Sequence, residues 1–301
     1  MKNVKYYFWD YLLYDFAGVE ERLSALAAQG WYLDKIGAML WKFRKGEPRA
    51  VTYAVTYVPE ASEFNASPTK GQRELETYCE EAGWTKVADW FQMQIYATEQ
   101  PSPLPLETDE KLRLITIHRS MRKNYLPSSI LLAVIGVMLL IMQGSNLLSP
   151  PSYAGATLRS TYLVGVLDAL LLLMMSGVNL GGYYFWYRKS GEQVERGGGC
   201  ARASFYRGFN KAALTALLIL MIYWLGSMLA GSDLGMAVYI VGYMAVISLL
   251  TFLLKKIQRG LKRFGLSRGM NIFLTLLADL VLAFVFIGIL IYVVLKTGLL
   301  F

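Results

Sequence analysis

Leu126-Pro-Ser-Ser-Ile-Leu-Leu-Ala-Val-Ile-Gly-Val-Met-Leu-Leu-Ile-Met-Gln-Gly-Ser-Asn-Leu-Leu148 contains no charged residue. A hydrocarbon core about 30 Å thick is crossed by roughly 20 helical residues, so this stretch reads as a transmembrane helix. It divides the chain. Four further apolar runs come after it: Leu158–Tyr187, Ala212–Ala230, Leu234–Leu254 and Ile272–Leu295. Leu158–Tyr187 is long enough to tilt or to extend past the interface. Only Gly231, Ser232 and Asp233 separate the third helix from the fourth. A turn inside hydrocarbon would strand backbone polar groups, so a tight hairpin at the interface is expected. The reading is an all-α membrane domain of five helices over residues 126–301. It is preceded by a basic juxtamembrane segment, 106–125, and a separate N-terminal domain, 1–105.

The charge is divided in the same way. Residues 1–105 hold 11 Lys+Arg against 14 Asp+Glu, and residues 106–301 hold 19 against 8. The excess of +8 therefore belongs to the membrane half. That argues against direct nucleic-acid binding, which needs a basic face on a soluble domain. It fits cationic loops beside anionic lipid headgroups. Seventeen basic residues flank the expected helices on one side (five in 111–123, six in 188–211, six in 255–268), against Arg159 and Lys296 on the other. By the positive-inside rule the N-terminal domain is cytosolic and the C-terminus extracytoplasmic, in a bacterial inner membrane. On the cytosolic side the sequon Asn65-Ala-Ser67 carries no weight, and no secretory leader is expected. Tyr183, Tyr184, Trp186 and Tyr187 read as an interfacial aromatic belt. Arg113–Lys123 and Lys255–Arg268 interleave basic and apolar residues. They suit either topology determination or a helix lying on the inner leaflet.

Within 1–105 the pattern suggests β-α-β-β-α-β. Val4–Trp9 is β-rich. Asp10 or Asp15 caps a helix over Phe16–Gln29, with Val19, Leu23, Leu26 and Ala27 on one face and Gly30 at its end. Trp31–Arg44 reads as extended, with a turn near Gly37. Ala50–Tyr57 alternates as a half-buried strand. Lys70–Ala82 forms a second helix, with Leu75 and Tyr78 inward and Gly83 closing it. Trp84–Thr98 is the last strand. The order corresponds to an α+β ferredoxin-like domain. Pro101, Pro103 and Pro105 make a short stiff linker.

Several of these segments carry a resemblance: Leu23–Leu33, Trp41–Pro48, Tyr53–Tyr57, Ala82-Gly-Trp84 and Trp90. As a set, spanning roughly residues 1–105, they resemble the bacterial family called domain of unknown function 2812. The resemblance implies a domain joined to a variable number of membrane helices. It also implies genetic association with PadR-type repressors, hence a regulatory partner. It supplies no activity and no functional residues.

The residues offer little chemistry. No nucleophile–base pairing, nucleotide fingerprint or metal spacing is visible, and His118 is the single histidine. Gly197-Gly-Gly199 lacks the Gly-Lys-Ser/Thr ending that a phosphate loop requires. The chain is therefore expected to be no enzyme and to need no cofactor or metal. Cys79 and Cys200 are expected as free thiols. Asp168 and Asp279 stand near mid-depth of the second and fifth helices, where a carboxylate must face protein or water. With Asn179 they form a candidate ligand or ion site. The plainer reading is an interhelix contact to Asn179, Ser176, Thr275 or Tyr243. Trp31, Trp41, Trp84 and Trp90 are mostly core residues, but some could line a partner groove. Gly177 and Gly181 allow close helix approach, within the chain or in a homodimer. The leading reading is a membrane-anchored sensor or regulatory protein whose cytosolic domain binds a partner. The competing reading is a small transporter, or transporter subunit, using Asp168 and Asp279.

Overall fold

The Asp15 carboxylate accepts the Gly18 N–H at 3.3 Å and starts α1, Phe16–Ala27. Val19, Leu23, Leu26 and Ala27 recur at helical spacing and are all buried. Gly30, at φ 77°, ends the turn in a backbone conformation open to glycine at little cost. The device recurs in α2, Lys70–Glu81, after which stands Gly83 at φ 81°. A tryptophan comes directly after each glycine: Trp31 and Trp84. In α2 Gln72 and Cys79 are buried and Leu75 packs inward as expected, but Tyr78 is 72% exposed.

The structure is a computed structural model. It describes all residues except 1–2, 9–10, 38–39, 63, 66–67, 91, 153–155, 204–206, 232–233 and 298–301. It also leaves undescribed the side chains of 156–157, 207, 227–231, 234–241, 243–244, 287 and 289–297. Its strands are β1 (Val4–Phe8), β2 (Trp31–Lys35), β3 (Leu40–Lys45), β4 (Thr52–Tyr57), β5 (Thr85–Trp90) and β6 (Met93–Thr98). They form two antiparallel three-stranded sheets, ordered β1-β3-β2 and β4-β6-β5. Each half of the region is thus strand, helix, strand, strand, in one topology. The register slips between Leu33 and Lys35 in the first half and between Lys86 and Ala88 in the second, at the same offset from the helix-ending glycine. The region is a tandem β-α-β-β repeat.

This differs from the single-sheet ferredoxin-like order expected from the sequence. Trp31–Arg44, read as extended with a turn near Gly37, is β2 and β3 on either side of that glycine, and Trp84–Thr98, read as one strand, is also two. The second break leaves no mark in the sequence, because no Gly, Pro or Asn stands between Trp90 and Met93.

The helical part contains α3 (Glu110–Lys123), α4 (Tyr125–Leu148), α5 (Ala156–Glu195), α6 (Arg207–Gly231), α7 (Leu234–Arg263) and α8 (Arg268–Thr297). Among the described residues, four stretches are long and apolar enough to cross a membrane: Glu110–Leu148, Leu158–Glu195, Gly208–Gly226 and Arg268–Phe286. The fifth expected span, Leu234–Leu254, falls on α7, where many side chains lie outside the described residues. Ser232 and Asp233 of the expected hairpin also lie outside them, as does most of the Asn65-Ala-Ser67 sequon.

Two compact units divide the chain. The first is residues 1–59 with 71–231, and the second is 60–70 with 232–301. In the second, α7 and α8 pack together, and the Asn271 side-chain amide donates to the Phe64 carbonyl at 2.7 Å. The basic Lys255–Arg268 stretch forms no helix of its own: it continues α7 to Arg263, and Gly265 at φ 71° ends the run.

In the first unit a single hydrophobic core takes Leu23, Leu26, Trp41 and Phe43 from the repeat and Leu114, Ile117 and Met121 from α3. It also takes Tyr183 and Trp186 from α5. The apolar face of Arg113–Lys123 is therefore buried in protein instead of lying on a leaflet. Packing also runs through the Pro101–Pro105 stretch, where the Trp84 indole donates to the Leu104 carbonyl at 2.9 Å.

Between α4 and α5 the close approach is at Gly136. A Cβ there would stand 3.0 Å from Leu173 Cγ and 3.4 Å from the Ala169 carbonyl oxygen. Gly177 and Gly181 are exposed, and a Cβ at either would meet no described atom within 4 Å. Intramolecular packing therefore uses a glycine that the small-residue pattern did not single out. We expect Gly136→Val to destabilise the first unit by about 1–3 kcal/mol through overpacking, and Gly177→Ala to be neutral. Thermal unfolding of the full chain in nanodiscs checks both, and equal midpoints for the two variants would refute the assignment.

Candidate functional site

Forty residues make α5 about 60 Å long, roughly twice a hydrocarbon core. Its C-terminal portion therefore has to find another environment, and it enters the core of the β-rich region. Tyr14, from the turn before α1, packs its ring 4.9 Å from Trp186, 5.2 Å from Tyr183 and 5.5 Å from Tyr125. Two of the polar tips are hydrogen-bonded as well. The Trp186 indole donates to the Ala201 carbonyl at 2.7 Å, and the Tyr183 hydroxyl lies 2.7 Å from His118 Nδ1. The His118 ring stacks on Tyr187 at 4.3 Å. Tyr183 and Trp186 thus correct the belt reading, since both are fully enclosed by protein. Tyr184, 54% exposed, keeps an outward aromatic face, as does the neighbouring Phe185.

Beside this junction Arg113 of α3 gathers three carboxylates. Its guanidinium bonds Glu20 of α1 at 3.1 Å and Glu110 at 3.3 Å, and Nε stands 3.4 Å from Glu107. The same group lies 3.8 Å over the Phe16 ring. Glu20 also accepts the Val55 N–H of β4 at 2.8 Å. The Thr56 hydroxyl donates to Glu107, and the Cys200 N–H donates to the second Glu110 oxygen at 3.1 Å. One cluster therefore ties α1, β4, the segment before α3, α3 itself and the loop after α5. It lines a cavity of about 230 Å³ with Trp84 and Tyr53.

Three carboxylates share one cation here, and burial disfavours the charge of Glu20 and Glu107. Burial raises the Glu20 carboxyl from 4.5 to about 7, against the lowering pull of the Val55 N–H and Arg113. Burial also raises Glu107, offset by the Thr56 hydroxyl and Arg113. Both thiols are free, and burial pushes Cys79 to about 11 and Cys200 to about 12. Neither is a reactive thiolate.

The residues singled out in the sequence fall in several places. Asn179 accepts the Asn210 side-chain N–H at 3.0 Å, in the wall of a separate cavity. Asp168 lies in the first unit, with Oδ1 buried and lacking a hydrogen-bond partner among the described residues. Asp279 lies in the second unit and is exposed. Of the partners weighed for them, Ser176 bonds the Leu173 carbonyl and Thr275 the Asn271 carbonyl; the Tyr243 side chain lies outside the described residues. Trp41 and Trp84 are buried in the core, whereas Trp31 and Trp90 are half-buried. The sequence reading missed the Arg113 cluster. Its one available signal was that Glu20, Glu107 and Glu110 all lie close to helix starts.

Residues 15–129 match the model of a family described as protein of unknown function (DUF2812). No curated protein and no solved structure matches the chain.

A carboxyl whose pKa is raised on folding stabilises the fold when protonated. The contribution is full below about 4.5 and is lost as pH rises to about 7. We expect the thermal midpoint of the full chain to fall between pH 5 and pH 8. Glu20→Gln should remove a share of that fall worth on the order of 2 kcal/mol. An unchanged pH profile in the variant would show that Glu20 does not titrate in this range.

Proposed function

We propose that this chain, which belongs to that family through residues 15–129, is a membrane-anchored sensor or regulatory protein with no catalytic activity of its own. In this reading it lies in a bacterial inner membrane with its N-terminus in the cytosol and its C-terminus outside, in keeping with the loop charges. The carrying observation is the passage of α5 from an apolar span into the core of the β-rich region, where Tyr183 and Trp186 are buried. A shift or rotation of that rod must repack the contacts with Tyr14 and α3. The state of the helices thereby reaches the sheets.

The output surface is best supported on the first sheet. Tyr6, Phe8 and Leu40 are 61, 40 and 54% exposed, and the alternation along β1 with the Phe8–Leu40 register puts them on one face. That face suits a cytosolic protein partner, with a PadR-type repressor as the first candidate by family association. Trp31 and Trp90, half-buried, are secondary contributors, while Trp41 and Trp84 serve the core. The outward face at Gly177 and Gly181 suits a second copy of the chain as a further partner.

One observation favours the alternative of a small transporter or transporter subunit: the buried, unpartnered Asp168 Oδ1. In that reading Asp168→Asn or Asp279→Asn abolishes a transport or resistance phenotype, and a fully active double variant excludes it.

The sensor reading is tested with the full chain, because residues 1–105 share their core with α3 and α5. The tagged protein in nanodiscs is expected to retain a PadR-type repressor encoded beside it. Tyr6→Lys combined with Leu40→Lys should lower that retention at least fivefold without moving the thermal midpoint. Equal retention by the variant, or none by the parent with and without membrane stress, would overturn the reading.

A further inference from the structure

A cavity of about 430 Å³ lies in the first unit, where the segment before α1 meets the start of α4, the middle of α5 and the start of α6. Tyr11, Leu12, Leu13 and Trp90 provide an apolar and aromatic wall. Asn124, Asn179 and Asn210 provide the polar one, and no Lys, Arg, Asp or Glu is among the described lining residues. The size is that of a small-molecule site, far larger than one or two waters need.

The amides are incompletely paired. Asn210 donates to Asn179 at 3.0 Å, which leaves Asn210 Oδ1 buried with no hydrogen-bond partner among the described residues. Asn124 donates to Gln92 Oε1 at 2.8 Å, and fully buried Gln92 keeps Nε2 in the same condition. Protein interiors satisfy nearly all such groups. Here one pair has a spare acceptor and the other a spare donor. The described lining carries no formal charge, and the amides of Asn124, Asn179 and Asn210 suit a hydroxyl or amide better than an ion. The depth is also defined. The apolar run of α4 opens at Leu126, directly after Asn124 and Tyr125, so the cavity stands where headgroup and hydrocarbon meet.

We propose that this cavity binds an uncharged amphiphile. A hydroxyl- or amide-bearing head would sit against Asn124, Asn179 and Asn210, and an apolar body would lie against Tyr11, Leu12 and Trp90. This deepens the sensor reading, and rests on it only for what binding transmits. A neutral membrane lipid and a soluble aromatic compound present the same chemistry.

The test uses the full chain in phosphatidylcholine nanodiscs with three labelled probes: dioctanoylglycerol, 4-octylphenol and dioctanoyl phosphatidic acid. Saturable binding of dioctanoylglycerol or 4-octylphenol at one site per chain is expected, at least tenfold tighter than the charged lipid. The stronger of the two neutral probes identifies the source. Asn179→Leu combined with Asn210→Leu should weaken binding at least tenfold. If that variant fails to fold, Ser128→Phe, which fills the cavity from its exposed wall, should do the same. Equal binding of the charged lipid, unchanged affinity in the folded variants, or no saturable binding would overturn the proposal. Hydrogen exchange at β4 and β6 in the same samples separates the two ideas. Tight binding without altered exchange keeps the site and removes the sensor reading, whereas altered exchange supports both.

Discussion

The rest of the structure depends on the burial of Tyr183 and Trp186, at the far end of a forty-residue helix, against Tyr14. A helix twice as long as a bilayer is thick cannot bury its whole length in lipid, and its excess turns would otherwise carry large aromatics into water. Joining those turns to the β-rich region removes both problems. It also fixes α3, whose Ile117 and Met121 are fully enclosed in the same core. What the sequence presents as a soluble domain on a proline linker is, in packing, continuous with α3 and α5.

Arg113 makes that continuity polar as well as apolar. A guanidinium laid over Phe16 and flanked by Glu20, Glu107 and Glu110 keeps its charge because each neighbour supplies an acceptor. The carboxylates are less well served, since three of them share one cation and burial favours the neutral forms of Glu20 and Glu107. The cluster is therefore stable as an assembly while its proton count is set near neutrality by Glu20. It joins segments distant in sequence, from α1 to the loop after α5, so any repacking of the aromatic junction is felt there too.

Local features with short-range signals were legible in the sequence. The α1 boundaries come from Asp15, the apolar spacing and Gly30, and the first apolar span comes from composition alone. Features set by three-dimensional neighbours were not legible. The aromatics at the end of α5 look identical whether an interface or a protein core receives them, and only the presence of Tyr14 decides. The split of Trp84–Thr98 into β5 and β6 lacks any turn residue. Arg113 reads as one more cytosolic positive charge until Glu20, ninety-three positions earlier, is placed beside it. Cys79 and Tyr78 are adjacent in α2, and hydrophobicity alone selected the wrong one for the core.

The repeat explains why the two halves, alike in topology, are not alike in use. In the second half, Cys79, Trp84 and Tyr96 form a small cluster closed over by Leu75 and Leu106, so the segment leading to α3 becomes its lid. In the first half, α1 packs on β4 of the second half as well as on its own β2, locking the repeats into one body and carrying Glu20 to Val55. Among the described residues no such lid covers the outer face of the first sheet, where Tyr6, Phe8 and Leu40 stand exposed. The first half thus both meets α5, through Tyr14, and keeps an exposed sheet face, whereas the second half is closed over by the segment leading to α3. An exact two-fold duplication would not provide that asymmetry.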